Sequence, residues 1–248
     1  KIRGEKSHGM MCSEKELELS DEHEGIMELE DTFKPGTKIS EVFPTGDTVF
    51  DVSLTPNRGD CLGYIGIARD LAAKIKRKIN YPKIRPISEY KDDLSSEGNV
   101  KIEIKDDEAS KRFVALYIKG VTTSPSPKWM QSRLNASGMR PINLIVDITN
   151  YVMLEMNHPI HAYDERDVSE NTIIVRRASA DDTLTTLDGN RANLKAGDIL
   201  ICDAQKPIGL AGIMGGENSE VKENTDNIII EVAEFDPGQI RKTSKRVG

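Results

Sequence analysis

Apolar residues recur at helical spacing in several parts of the chain. In residues 61–78 they return every three or four positions, which predicts an amphipathic helix. Asp60 precedes this segment as a candidate N-cap, and basic residues crowd its last turn, where the helix dipole favours them. Residues 127–137 predict a second helix that ends at Gly138, and residues 142–154 predict a third.

Short apolar runs bounded by turn residues predict strands along the rest of the chain. They lie at residues 25–29, 48–52, 100–104, 113–121, 172–176, 183–186, 199–202 and 228–232. Helices and strands do not alternate regularly, as they would in a parallel sheet with crossover helices. The predicted fold class is therefore α+β.

Residues 80–98 show little apolar periodicity and hold Pro82, Pro86, Ser88, Ser95, Ser96 and Gly98, which predicts a linker at residues 86–98. The sequence before it predicts a small acidic α/β N-terminal domain. From residue 99 onward the pattern predicts a larger, β-rich mixed domain. The chain is thus expected to form two domains of unequal size.

The charge of the chain is distributed unevenly. The net charge of -7 arises within the first 60 residues, which hold 7 basic and 14 acidic side chains. Proteins that bind nucleic acid unaided usually present a basic face, because phosphate contacts supply most of the affinity. We therefore expect weak intrinsic RNA binding. No apolar run approaches the roughly 20 residues that span a bilayer, so no membrane partner is expected.

The cysteines and the first residues indicate the cellular setting. Cys12, Cys61 and Cys202 are far apart and form no C-x-x-C pair. This spacing disfavours a disulfide framework or a cysteine zinc site, and it predicts a reducing, cytoplasmic environment. The chain opens on KIRGEKSHGMMCS, without an initiator methionine or an apolar signal segment, so we interpret it as a piece of a longer protein.

Two of the four histidines lie close together in the string NHPIHAYD, residues 157–164. His158, His161 and Asp164 could place three metal ligands on one helical face, but Pro159 disfavours a helix here. Alternatively, His161 is a hydrogen-bonded loop residue, or it is a catalytic or water-positioning histidine. The metal site is the least favoured of these three readings.

Other candidate residues each have a purely structural alternative. The segment 209–217, GLAGIMGGE, lacks the ending of a phosphate loop and favours a tight turn or a close backbone approach to a ligand. Glu231 interrupts an apolar strand and either points outward or lines a pocket as an acceptor. Thr149 and Asn150 either bond within their helix or serve a site. The basic cluster 241–246 is either a solvated helix end or an RNA contact.

Taken in order, six strings resemble the bacterial phenylalanyl-tRNA synthetase β-subunit family over nearly the whole chain. They are KIRGEKSHGMMCS, LTPNRGDCLGYIGIARDLAA, GMRPINLIVDITNYVMLEMNHPIHAYD, TTLDG, GLAGIMGGENS and IIIEVAEFDPGQIRKTSKR. The resemblance implies that residues 1–18 end a tRNA-binding OB insertion and that residues 19–85 belong to the B1 domain around it. Residues 99–248 then correspond to most of the B3/B4 editing domain.

In that family the B3/B4 domain hydrolyses tyrosine mischarged onto tRNA-Phe, and the resemblance implies the same activity here. By motif, His161 is the catalytic candidate that places water or substrate. The implied substrate-binding residues of the editing pocket are Arg140, Thr149, Asn150, Gly215, Gly216 and Glu231. Glu231 matches the glutamate that accepts a hydrogen bond from the tyrosine hydroxyl. Phenylalanine would leave this acceptor unpaired, which costs about 1–3 kcal/mol or more.

The resemblance also implies the partners: tRNA-Phe, and the synthetase α subunit in an α2β2 enzyme. No string resembles an ATP-binding motif, so ATP and Mg²⁺ are expected for the complete synthetase and no cofactor for this chain. The chain departs from the family at His158, where glutamine is usual, and it ends at Gly248, before a strand that completes the family's pocket. Two alternatives stay open: a non-catalytic, tRNA-positioning fragment and, more remotely, a metal-dependent hydrolase.

Overall fold

The computed structural model describes residues 6, 9–17, 19, 23–29, 31–42, 48–86, 89 and 100–247. Contacts divide the chain into two compact units, residues 1–49 and residues 50–248. The described part of the first unit forms one short helix, α1 (Ile39–Val42), and otherwise turns and irregular backbone. The OB remnant predicted at residues 1–18 and the linker predicted at 86–98 lie partly outside the described residues and stay predictions.

The described part of the second unit mixes helices and strands. Its helices are α2 (Tyr64–Ile75), α3 (Lys128–Ala136), α4 (Leu144–Met156) and α5 (Pro237–Val247). Its strands are β1 (Lys101–Ile104), β2 (Ser110–Lys119), β3 (His161–Asp164), β4 (Thr172–Arg177), β5 (Ile199–Cys202), β6 (Pro207–Leu210), β7 (Met214–Gly215) and β8 (Asn227–Phe235). None of the described helices has the length and apolar content needed to cross a bilayer.

The strands form two sheets. A five-stranded sheet has the order β1-β4-β5-β6-β7, and a three-stranded sheet has the order β2-β8-β3. The β1–β4 pair is parallel, whereas the other pairs are antiparallel. Because helices and mostly antiparallel strands are mixed without regular alternation, the predicted α+β fold class is confirmed.

The main core lies between the two sheets, where both contribute buried side chains. The three-stranded sheet supplies Phe113, Tyr163 and Ile229, and the five-stranded sheet supplies Ile173, Val175, Ile199, Ile201 and Ile208. The opposite face of the three-stranded sheet packs against α4 through Ile145, Ala162 and Ile228. Each fully buried aliphatic side chain contributes roughly 1.5–3 kcal/mol, so this layer fixes how the two sheets face each other.

The predicted helices are found, but the start of α2 differs from the prediction. Gly63, not Asp60, is the N-cap of α2. Asp60 lies in a 3-10 turn, Gly59–Leu62, and its carboxylate accepts a hydrogen bond from Arg58 Nε at 2.9 Å. Arg58 Nη1 also donates to Asp70 at 2.8 Å. The prediction that Asp60 caps the helix was wrong because Arg58 engages this carboxylate and ties it to the side of the helix.

Helix α2 belongs with the second unit because the turn before it contacts the end of α4. Asn157 Nδ2 donates to the carbonyl oxygen of Gly59 at 2.8 Å. A Cβ atom on Gly63 would lie 2.6 Å from the Cβ of Asn157, so only glycine fits there. The compact second unit starts at residue 50, and the domain of residues 19–85 that the resemblance implied stays a prediction.

Three predicted strands are not strands. Residues 25–29 and 48–52 have irregular backbone, and residues 183–186 make only isolated bridges, Thr185 with Arg191 and Thr186 with Gly216. In the second of these segments Phe50 is 80% exposed. An apolar run forms a stable strand only where a neighbouring strand and a packed face are available. Within the described residues the three segments make no strand pairing beyond the isolated bridges, although Leu184 in the third segment is buried in the core.

Candidate functional site

The centre of the candidate site is β3, a strand that the sequence patterns did not predict. Its four residues pair antiparallel with β8, and His161 lies directly opposite Glu231. Alternation along the strand turns His161 and Tyr163 toward the space between the sheets and Ala162 and Asp164 toward the other side. The string that was read as a loop or a helical metal site is therefore a short strand that presents two aromatic side chains next to a carboxylate.

Glu231 is paired with a tyrosine of its own chain. The hydroxyl of Tyr163 donates a hydrogen bond to Glu231 Oε2, and the two side chains are 1% and 7% exposed. Burial raises the pKa of Glu231 to about 7, and the hydrogen bond from Tyr163 partly opposes that rise. Glu231 thus points inward, which decides between the two readings of its place in the strand. No sequence pattern had pointed to Tyr163.

His161 is packed against the same tyrosine. The two rings meet edge to face, with centroids 4.5 Å apart. The Nε2 atom of His161 is buried and has no hydrogen-bond partner within the described residues. Burial lowers the pKa of His161 to about 4, so the ring is neutral at neutral pH. A buried ring nitrogen without a partner is a place where a water or a ligand group can be held.

Gly215 lies against the imidazole of His161. A Cβ atom on Gly215 would lie 2.6 Å from His161 Cε1 and 2.8 Å from Nε2, so a side chain here would displace the ring. Gly216 is less open to a ligand, because its amide already donates to the carbonyl oxygen of Ile208 at 2.8 Å. The glycine-rich segment is a hairpin of β6 and β7, with Gly212 in the left-handed region at its turn.

The structure brings His161, Gly215 and Glu231 together, and Gly216 follows Gly215 in the chain, whereas the other three predicted pocket residues lie on α4 or in the segment before it. Thr149 is buried in α4 and bonds back to the carbonyl oxygen of Val146 at 2.7 Å. Asn150 is half-buried on the same helix, and Arg140 is exposed in the segment before it. The substrate-binding roles of Arg140, Thr149 and Asn150 stay predictions.

The three residues of the metal hypothesis do not converge. His158 is exposed before β3, and the carboxylate of Asp164 lies on the opposite side of the strand from His161. Asp164 instead accepts hydrogen bonds from Arg166 at 2.7 Å and from Thr225 at 2.5 Å. The described residues hold no cluster of three potential metal ligands. The local geometry therefore gives the metal-dependent alternative no support.

The basic cluster 241–246 lies on α5. Its last member, Arg246, donates to Asp198 Oδ2 at 2.5 Å, and Thr243 donates to Oδ1 of the same carboxylate at 2.6 Å. Arg241, Lys242 and Lys245 are exposed. One side of the helix is thus anchored to the β-rich unit, and the other presents basic side chains to solvent.

Comparison with known proteins identifies a known domain within the second unit. A family model for the B3/4 domain matches residues 109–248. Over its whole length the chain is 47% identical to the phenylalanine–tRNA ligase beta subunit of Geobacter sulfurreducens and covers 31% of that protein. It is 46% identical to the subunit of the same name from Geobacter metallireducens, of which it also covers 31%.

The chain thus spans about a third of the length of the curated relatives that it matches. A solved N-terminal fragment of the phenylalanyl-tRNA synthetase beta-subunit from Pyrococcus horikoshii aligns with 78% of this chain and 60% of that one. Its TM-score of 0.44 and identity of 14% are too low to support an argument about the fold. By the family match and the full-length sequence similarity, the chain belongs to the B3/4 domain family and is a relative of the phenylalanine–tRNA ligase beta subunits.

Proposed function

We propose that this chain carries an editing site that hydrolyses the ester of tyrosine mischarged onto tRNA-Phe. The observation that carries the proposal is the buried carboxylate of Glu231, which accepts a hydrogen bond from a phenolic hydroxyl. Next to it lies His161, whose Nε2 has no hydrogen-bond partner among the described residues. The first group recognises what distinguishes tyrosine from phenylalanine, and the second can hold the water that attacks the ester.

An editing site in addition to the synthetic site is needed because tyrosine differs from phenylalanine by only one hydroxyl. A hydrophobic pocket built for phenylalanine rejects an added hydroxyl only weakly. A buried acceptor does the opposite, since it favours the ligand that brings a donor. Tyr163 shows that the surroundings of Glu231 accommodate a phenol at hydrogen-bonding distance without an added positive charge. A tyrosyl ligand meets the same requirement.

The proposed hydrolysis uses direct attack by water on the aminoacyl ester. With its pKa lowered to about 4, His161 accepts a hydrogen bond from water at Nε2 but binds a proton weakly. This favours a role in orienting water over one as a strong general base. The amides of Gly216 and Glu217 already donate to Ile208 and Thr185, which leaves the Gly215 amide as the candidate oxyanion donor of the hairpin.

The complete synthetase, not this chain alone, is proposed to carry out aminoacylation. There we expect tRNA-Phe and the α subunit as partners in an α2β2 assembly in the cytoplasm. ATP and Mg²⁺ are expected at the synthetic site. The residues present here do not fit either group: the segment 209–217 is a hairpin whose Gly216 amide is already bonded, and no metal-ligand cluster occurs among the described residues. No step proposed for this chain uses them.

The test is deacylation of Tyr-tRNA-Phe and Phe-tRNA-Phe by the full-length enzyme. We expect the wild type to clear tyrosine and spare phenylalanine. His161→Ala should slow tyrosine clearance by roughly 10²-fold or more, the usual size of a lost positioned catalytic group. Glu231→Ala should remove most of the preference for tyrosine. Glu234→Ala, on the same strand but exposed, is the matched control.

The outcomes separate the proposal from its main alternative. If His161→Ala clears tyrosine at the wild-type rate, the domain only positions tRNA and the editing chemistry lies elsewhere. If Glu231→Ala still distinguishes tyrosine from phenylalanine as well as the wild type does, recognition through this carboxylate is wrong.

A further inference from the structure

Glu231 has two carboxylate oxygens, and the structure uses one of them. Tyr163 donates to Oε2, and within the described residues no other group donates a hydrogen bond to Glu231. An ionised carboxylate has about four lone-pair sites, so a second donor can bind while the first stays in place. With phenylalanine in the site Glu231 would therefore still be paired with Tyr163, in contrast to the sequence-based expectation that it would be unpaired.

Tyr163 is held firmly enough to fix the direction of this carboxylate. The ring of Tyr163 packs edge to face on His161, and Tyr163 is 1% exposed. Its hydroxyl also lies against β6 of the opposite sheet, because a Cβ on Gly209 would be 3.7 Å from that oxygen. The tyrosine is thus confined from both sheets, and its hydroxyl is a fixed donor rather than a mobile group that swings in and out.

We propose that Tyr163 is a positioning residue for Glu231: its hydroxyl holds Oε2, so that Oε1 is the acceptor presented to a phenolic hydroxyl of the ligand. This inference rests on the proposed function for the identity of that ligand. It adds a residue that determines specificity without contacting the substrate. Recognition of tyrosine then depends on one additional hydrogen bond, to Oε1 of Glu231. It does not depend on giving a partner to a carboxylate that would otherwise have none.

The second effect of Tyr163 is on the protonation of Glu231. Its hydrogen bond favours the ionised carboxylate and opposes the rise in pKa that burial causes. The other titratable groups near the pair are His161 on β3 and Cys202 on β5, whose charge would raise the pKa of Tyr163. Tyr117 on β2 lies opposite Ile229, two positions from Glu231 along β8. None of these donates a hydrogen bond to Glu231, so Tyr163 is the partner whose loss should change its titration.

Tyr163→Phe removes the donor and keeps the ring. At neutral pH we expect Glu231 to become largely protonated, and the ratio of tyrosine to phenylalanine clearance to fall about tenfold, because hydrogen bonds to charged acceptors are stronger than those to neutral ones. The ratio should recover as the pH is raised and Glu231 ionises. Tyr117→Phe, another hydroxyl deletion on the same face of the sheet, should leave the ratio and its pH dependence unchanged.

Two measurements on the full-length enzyme test this. The first is the pH profile of the clearance ratio for the wild type, Tyr163→Phe and Tyr117→Phe. The second is an infrared titration of the protonated-carboxyl band, assigned by its loss in Glu231→Gln, which does not depend on any activity. A purely structural loss in Tyr163→Phe would lower both clearance rates together and leave the pH profile of their ratio in place.

Each result has a definite meaning. A shift of the Glu231 titration to higher pH, with a pH-dependent loss of discrimination, supports the positioning role. An unchanged titration and full discrimination in Tyr163→Phe overturn it, even if editing itself is confirmed. If the titration shifts but the wild-type enzyme clears no tyrosine, Tyr163 does position Glu231 and the proposed editing function is wrong.

Discussion

His161 and Glu231 lie directly opposite each other on β3 and β8, and burial shifts their pKa values in opposite directions. The pKa of His161 falls to about 4 and that of Glu231 rises to about 7. Both groups are therefore held in their neutral forms over the weakly acidic range. Two neutral groups can be buried side by side at a smaller desolvation cost than two ions, which explains how the sheet tolerates them.

Glu231→Gln should make folding stability less sensitive to rising pH. The folded state retains the Glu231 proton up to about pH 7, whereas an unfolded glutamate loses it near 4.5. This group therefore lowers stability as the pH rises from about 4.5 to 7. We expect the variant to gain up to about 3 kcal/mol relative to the wild type across that range. Urea unfolding of both proteins at about pH 4.5 and pH 7 measures this difference in the free energy of unfolding.

His161 changes the folding stability with pH in the opposite direction, and this effect should be visible in Glu231→Gln. Its lowered pKa means that the unfolded state takes up a proton between about pH 6.5 and 4 while the folded state does not, so stability is lost as the pH falls. In Glu231→Gln this loss is no longer offset. Glu234→Gln, exposed on the same strand, is the control. Parallel pH curves for wild type and Glu231→Gln would contradict the assignment.

Gly215→Ala should disable the site without unfolding the domain. The new methyl would lie 2.6 Å from the imidazole of His161, so the ring must move. Overpacking of this kind costs about 1–3 kcal/mol, and we expect tyrosine clearance to fall at least about tenfold. Gly238→Ala is a control outside the site, since its methyl would meet only the carboxylate of Asp236, at an ordinary 3.5 Å. Equal clearance by both variants would show that the position of His161 is unimportant.

Asn157 should be sensitive to substitution for two separable reasons. It ends α4 in the left-handed region, with φ of 60°, and its side chain donates to Gly59. Asn157→Gly keeps the backbone conformation and loses the hydrogen bond, which should cost about 1 kcal/mol. Asn157→Ala adds strain at positive φ, so we expect roughly a further 1 kcal/mol. Thermal unfolding gives both values, and a more stable alanine variant would refute the ordering.

Asp147 is the buried acid of α4, and its substitution should lower the folding stability. Its carboxylate accepts hydrogen bonds from Ser126 Oγ at 2.5 Å and from the Ile142 amide at 2.8 Å, and so fixes the segments on both sides of α3. Asp147→Ala leaves both donors without their partner and should cost about 2–4 kcal/mol. Ser126→Ala removes one bond only and should cost less in the same urea titration. Equal losses would mean that the Ile142 bond contributes nothing.

Local patterns predicted the elements that carry clear apolar periodicity and clear end signals. The helix of residues 127–137, the strand at 199–202 and the strand around Glu231 are all found, because their periodicity and end signals agree with their packing. The fold class followed from the same patterns. Irregular segments such as 48–52 have strand-like composition but no neighbouring strand, and composition carries no information about that neighbour.

The candidate site was only partly predictable, because its geometry comes from pairing between distant segments. His161 and Glu231 were singled out by local patterns and by the family resemblance, and their separation of 70 positions hid that they are neighbours. Tyr163 was missed although its alternation with His161 was visible in the string HAYD. A four-residue strand next to a proline gives too short a signal to overrule a loop, so only the pairing with β8 reveals it.

The alternation of β3 has a consequence for which changes in chain length the site can survive. His161 and Tyr163 face one side of the sheet, while Asp164 is fastened on the other by Arg166 and Thr225. Deleting one residue between Asn157 and His161 would either pull Asn157 away from Gly59 or shift β3 by one position. Such a shift places Ala162 beside Glu231 and turns Asp164 away from its partners. Homologous or engineered chains that keep this chemistry should therefore hold the spacing from Asn157 to Asp164 constant, even where the residues between them vary.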